Sequence, residues 1–254
     1  MTVMHKYKAL CWNKVRAIAI GLITFGLVAL GGILSVDAAA KDGIRILIVA
    51  GGSSHDFGRW YGKVDRETLE RNGLAVVTYT EKPDEVGQYL PNTDVLYLAN
   101  NQPFKSVVVR KAIFDFVAAG KGLVIGHAAN WYNWPDWPEY NAQLVGGGTN
   151  DHDQYGQFRV NILDAVHPVM RGIRSFDLSD ERYHYESALI GSGIEVLTNS
   201  GDAHTQALYP SVFVVKHPRA RIVGITLGHD GGAHELPQYQ QILRQAVEWA
   251  AHRK

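Results

Sequence analysis

The feature that most constrains the fold is a short apolar run bracketed by glycine, Gly122-Leu123-Val124-Ile125-Gly126, followed at once by His127-Ala128-Ala129-Asn130. A run that is apolar at every position, not at alternate ones, belongs to a strand covered on both faces, as strands of parallel sheets are. In such sheets the residue just past the carboxyl end of the strand borders the ligand crevice. Gly126 is expected to permit a sharp turn, and His127 to occupy an elbow where a Cys or Ser nucleophile is the usual occupant. On this reading His127 faces the crevice and takes little part in the core.

The pattern recurs along the chain. Residues 44–50 form a second continuous apolar run that ends in Gly51-Gly52-Ser53-Ser54-His55-Asp56. That glycine spacing matches neither a Walker loop nor a dinucleotide fingerprint, so the interest lies in His55 and Asp56 beyond a strand end. Strands are also expected over 75–80 and 95–99. Helices are expected over 62–72, closed by Gly73, and over 107–119, where Ser106 can cap and Val109, Ile113, Phe116 and Val117 fall at helical spacing. Alternating strand and helix demands right-handed crossovers, and so an α/β fold: an open, mostly parallel sheet with helices on both faces. Strands over 155–162, 194–198, 212–215 and 221–227 and a final helix over 237–251 complete it. No internal repeat or linker interrupts the pattern.

Residues 1–40 read as a separate segment. Lys6, Lys8, Lys14 and Arg16 precede an apolar stretch over 17–36 that ends in Ala38-Ala39-Ala40. This is the pattern of a secretory signal peptide, which would leave the protein periplasmic or secreted; an uncleaved membrane anchor is the alternative. Residues 41–254 then form one domain. The leader holds four of the 25 Lys and Arg and one of the 25 Asp and Glu, leaving 21 against 24. That balance argues against a nucleic-acid or anionic-membrane partner. The single cysteine, Cys11, falls in the leader, so the domain has no thiol chemistry, disulfide or thiolate metal site.

Three histidines, His55, His127 and His229, each follow an apolar strand with glycine nearby, and strand ends of one sheet share a rim. Imidazole serves both acid–base chemistry near neutral pH and divalent-metal binding, and both roles stay open for the three. Asp56 and Glu181 are candidate catalytic carboxylates, Glu181 being weighed against a solvated acidic corner with Asp180. Trp131, Trp134 and Trp137 lie in a run broken by prolines, which forms either a packed lid or a platform for sugar rings. His152, between Asp151 and Asp153, is a substrate-binding candidate or a turn cap, and Tyr183 is grouped with it.

GGSSHDF at 51–57, GLVIGHAANW at 122–131, the glycine triplet and histidine of 146–152, HPVMRGI at 167–173, DERY at 180–183 and LGHD at 227–230 together resemble the ThuA-like (trehalose-utilisation) family. The domain of that family is similar to the class I glutamine amidotransferase fold, which is flavodoxin-like, and the resemblance covers nearly all of 44–251. It implies work on disaccharides or their 3-keto derivatives, with a small carbohydrate as partner. Amidotransferase activity is not implied, because the elbow carries His127 in place of Cys. Two functions follow as expectations. One is a hydrolase or an isomerase/lyase acting by histidine acid–base chemistry, with or without a divalent metal on His55, His127 and His229. The other is a non-catalytic carbohydrate-binding module using the Trp-rich loop. A homo-oligomer is compatible with either.

N-terminal sequencing of the exported protein is expected to begin at or near Lys41. Intact residues 1–40 recovered in a membrane fraction would instead mean an anchor.

Overall fold

The two continuous apolar runs pair through a common neighbour at the centre of one sheet. The computed structural model describes residues 43–201 and 207–253; the leader read over 1–40 lies outside them. Strands β1 (Ile44–Val49), β2 (Ala75–Thr80), β3 (Val95–Leu98) and β4 (Gly122–Gly126) are followed by β5 (Gly156–Ile162), β6 (Phe176–Asp180), β7 (Ile194–Gly201), β8 (Leu208–Val215) and β9 (Ile222–Ile225). Their order in the nine-stranded sheet is β2-β1-β3-β4-β9-β8-β7-β5-β6. The pairings from β2 to β9 are all parallel, and those from β9 to β6 are all antiparallel. The chain leaves β1 for β2 on one side and returns to β3 on the other, which makes a topological switch point beside β1.

Helices cover both faces. The segment α1 runs through Phe57–Arg59, a π-helical turn at Trp60–Asp65 and Arg66–Glu70, and α2 spans Val107–Ala118. The last helix, α3, spans Pro237–Ala250, with proline in its first turn, where a missing N–H costs nothing. Tyr61 and Leu69 of α1 and Ile242, Leu243 and Val247 of α3 pack on one face with Ile46, Ile48 and Val124. Ile113, Phe116 and Val117 of α2 pack on the other face with Leu47, Leu96 and Leu123. Among the described residues no helix is long and apolar enough to cross a membrane.

Four local expectations change. The first helix begins at Phe57, not near residue 62, because the Asp56 carboxylate caps it by accepting the Arg59 N–H at 3.1 Å. Asp56 is exposed and occupied in that cap, which corrects its assignment as a catalytic carboxylate. Trp134 and Trp137 are only 3% and 5% exposed and pack edge-on against Phe104 beside Tyr140. They belong to the core, so no sugar can stack on them. Gly126 is extended (φ −94°) and makes no turn; it is glycine for space, since a Cβ there would stand 2.7 Å from the Tyr97 ring.

The same need for space fixes the start of β4. A Cβ on Gly122 would lie 2.6 Å from the Ala250 carbonyl oxygen, a backbone atom at the end of α3. Gly122→Ala is therefore expected to lower stability by about 1–3 kcal/mol, the usual cost of overpacking a core. An unchanged thermal midpoint would show that the helix end yields freely.

Candidate functional site

Strand ends of the parallel half deliver the histidines. His55 follows β1, His127 follows β4 and His229 follows β9, and their rings meet: the centroids are 5.0 Å apart for His55–His127, 4.8 Å for His55–His229 and 5.8 Å for His127–His229. One ligand nitrogen from each lies within 4.8 Å of the other two. Nitrogens bound to a common ion at about 2.0–2.1 Å would be roughly 3.4 Å apart in tetrahedral geometry, so small side-chain rotations close the set.

Glu181 is the fourth member. Its Oε2 is 3.0 Å from His229 Nδ1 and 3.5 Å from His127 Nε2, and its Oε1 is 3.9 Å from His152 Nε2. The first two approaches have the closeness of an ion pair without the alignment of a hydrogen bond. His127 Nε2 and His229 Nδ1, and also His55 Nδ1, are buried without a hydrogen-bond partner among the described residues. Three unpartnered nitrogens on adjacent imidazoles, two of them against a carboxylate, form a donor set suited to a divalent transition metal.

His127 is 0% exposed, which corrects the expectation that it faces the crevice with little share of the core. Its Nδ1 donates to the Thr226 carbonyl at 2.6 Å, so in the neutral ring Nε2 carries the lone pair toward Glu181. Backbone carbonyls commonly orient metal-bound histidines in this way. The ring also stacks on Tyr183 at 4.1 Å. Asn130 holds the turn, its amide donating to the Ile225 and Ile125 carbonyls at 3.0 and 3.3 Å.

Asp180 is fully buried, so the reading of Asp180-Glu181 as a solvated corner is also corrected. Its carboxylate accepts the backbone N–H groups of Gly228 (2.8 Å), His229 (3.0 Å) and Glu181 (2.8 Å). One side chain thereby ties the segment carrying Glu181 to the segment carrying His229.

Two groups of the cluster are held in the protonation states of ligands. Burial pushes the His55 imidazole down to about 3, helped by the positive charge of His127 and His229, so His55 is neutral. Burial works against an ionised Glu181, but the close approach and charge of His127 and His229 win and hold it well below the usual carboxylate range. Glu181 in turn raises His229. Neutral His55 and ionised Glu181 are already in the protonation states that metal binding needs, while the raised His229 gives up its proton to an ion that binds.

A cleft of about 310 Å³ opens above, lined by His55, Glu181, Trp131, Tyr183, His152, Ser54, Asn101 and Asn133 among others. Trp131, Tyr183 and His152 thus stand at the cleft, whereas Trp134 and Trp137 do not. His152 Nδ1 donates to the Asp153 carbonyl at 2.7 Å, leaving Nε2 toward the cleft and Glu181. Ser54, Asn101 and Asn133 are additions from the structure. The only sequence sign of Ser54 and Asn101 was their place just past β1 and β3.

Comparison with known proteins bears on the family and the fold. The family model ThuA, described as trehalose utilisation, matches residues 45–250. No curated protein matches the sequence. Among solved structures, a ThuA-like protein from Parabacteroides merdae ATCC 43184 superposes with a TM-score of 0.71 at 21% identity, over 82% of this chain and 90% of that one. A ThuA-like protein from Bacteroides uniformis ATCC 8492 gives 0.68 at 19% identity, over 83% and 93%. A glutamine amidotransferase from Thermotoga maritima gives 0.50 at 10% identity, over 82% and 98%. At these identities the superpositions show the fold, as expected from the strand–helix alternation.

The depressed His55 has a thermodynamic consequence. Below its ordinary pKa of about 6.5 the unfolded chain takes up a proton that folded His55 refuses until about pH 3, so its contribution to stability is lost as pH falls through that window. In metal-free protein, His55→Gln is expected to flatten the fall in thermal midpoint between pH 7 and pH 4. Parallel curves for variant and parent would show that His55 is not held neutral.

Proposed function

Because the chain belongs to the ThuA family of trehalose utilisation, we propose that it is an extracytoplasmic sugar-active enzyme whose substrate is a disaccharide or 3-keto-glycoside. The observation that carries this reading is the set of three buried, unpartnered histidine nitrogens, two of them against Glu181, beside a cleft that His55 and Glu181 line. His55, His127, His229 and Glu181 would hold a divalent metal ion, which supplies polarisation of a ketone or hydroxyl oxygen when bound.

The chain's own groups then divide the work. His127 is too deeply buried to take a substrate proton, so its part is to hold. His152 has one nitrogen fixed on a carbonyl and the other turned to the cleft, the arrangement of a general base. A ketone acidifies the neighbouring C–H. That bond breaks with its proton passing to His152 Nε2, and the electron pair moves toward the ketone. The β C–O bond then breaks, its electrons leave on the glycosidic oxygen, and His152 returns the proton to that oxygen. Trp131 and Tyr183 offer apolar ring surface to the sugar. Burial of Trp134 and Trp137 removes most of the platform that a purely binding module would need.

Metal analysis of the purified protein combined with a turnover screen on 3-keto-glycosides tests the reading. Bound divalent metal and product formation are expected. His152→Gln should keep the metal and lose about 100-fold or more in turnover, while His229→Ala should lose both. Sugar binding without turnover in metal-loaded protein would overturn the enzyme in favour of a module.

A further inference from the structure

On the core side of the cluster lies a buried group of polar residues that the cleft chemistry does not use. Asp65, from the π-helical turn of α1, and His234, from the short helix Gly231–His234, are both fully buried and joined Oδ1 to Nδ1 at 2.7 Å. The second ring nitrogen, Nε2, is 3.0 Å from the Gly228 carbonyl oxygen. A carbonyl oxygen only accepts, so Nε2 carries a hydrogen. The other oxygen of Asp65 takes the hydroxyls of Tyr97 at 2.9 Å and Tyr239 at 3.3 Å. Two hydroxyl donors on Oδ2 favour a charged Asp65, whose remaining oxygen, Oδ1, then accepts from a hydrogen on Nδ1. A ring that donates from both nitrogens is an imidazolium.

The surroundings agree. The Trp60 indole lies parallel to the His234 ring at 5.8 Å, and Tyr61 and Tyr239 close its edges at 4.7 and 4.9 Å. An aromatic face at that range favours a cation. Burial by itself would lower the His234 pKa, but the charge and hydrogen bond of Asp65, the Gly228 carbonyl and the charge of Asp180 raise it.

What this pair grips is the peptide next to a cluster histidine. The Gly228 carbonyl accepts from His234 and from the Tyr61 hydroxyl at 2.8 Å, while the N–H groups of Gly228 and His229 go to Asp180. Gly228 turns at φ +126°, open to glycine, and a Cβ there would crowd Tyr61, Tyr239 and His234 at 3.3–3.4 Å. A negative group thus holds the N–H side of the turn, and a positive one its carbonyl side. We propose that His234 is a buried imidazolium, paired with Asp65, that acts as a positioning residue: by holding the Gly228 carbonyl it fixes the direction from which His229 enters the three-histidine cluster. This goes beyond the sugar-active reading and needs only the geometry of the cluster.

Two measurements test it. In 15N-labelled protein the His234 ring is expected to show both nitrogens protonated from pH 6 to pH 8; a single protonated nitrogen, or titration near 6.5, would overturn the imidazolium. Positioning is tested with D65N/H234L against D65N/H234Q, both free of a lone buried charge, the second restoring a donor near the place of Nε2. Zn2+ affinity, measured by chelator competition, should fall about 10- to 100-fold in the Leu variant, the range for a lost supporting contact, and recover with Gln. Equal affinities in the two variants would overturn positioning. If the parent protein binds no Zn2+, the metal reading fails by itself and the His229 ring signals decide: a single set in the Gln variant with doubled or broadened signals in the Leu variant supports positioning, and identical spectra overturn it.

Discussion

The candidate site depends on one buried carboxylate. Asp180 ends β6, the strand at the far edge of the sheet, yet it accepts the N–H of Gly228 just past β9 at 2.8 Å. Four strand spacings of about 4.8 Å would put those strands roughly 19 Å apart in a flat sheet. The antiparallel half must therefore curl back over the parallel half. Asp180 is the bond that registers the two, and it brings Glu181 against histidines that belong to the other half.

That closure sets the electrostatics. The parallel half contributes His55 and His127, which on their own would be buried imidazoles near one another. Glu181 arrives from the antiparallel half, is held ionised by His127 and His229, and raises His229 in return. Nitrogens without hydrogen-bond partners are costly in a protein interior, where most buried polar atoms are paired. Their concentration in one cluster, with Thr226 orienting His127 from behind, is the sign of a place arranged for a ligand.

Burial also separates residues that the linear pattern treats alike. Trp131, Trp134 and Trp137 share one loop, but Trp134 and Trp137 fill the space above α2 with Phe104 and Tyr140, and Trp131 reaches the cleft. His55 and Asp56 are neighbours with different tasks, one in the cluster and the other capping α1. Asp65 and His234 gave no sequence signal at all: each lies in a helical stretch, and only packing makes them a pair.

The sequence by itself determined the parallel half of the fold and the strand-end places of His55, His127 and His229, because continuous apolar runs ending in glycine have few other uses. It also determined the absence of thiol chemistry beyond residue 40, since Cys11 is the single cysteine. Edge strand β6 was not legible, its short run Phe176–Asp180 carrying only two fully apolar side chains. The tertiary structure alone decided that His127 is buried, that Glu181 joins the histidines, and that Asp180 and the Asp65–His234 pair hold the turn before His229. The physical reason is that periodicity reports which face of an element is covered, whereas hydrogen bonds between residues 48 to 169 positions apart depend on how the sheet curls and the helices pack.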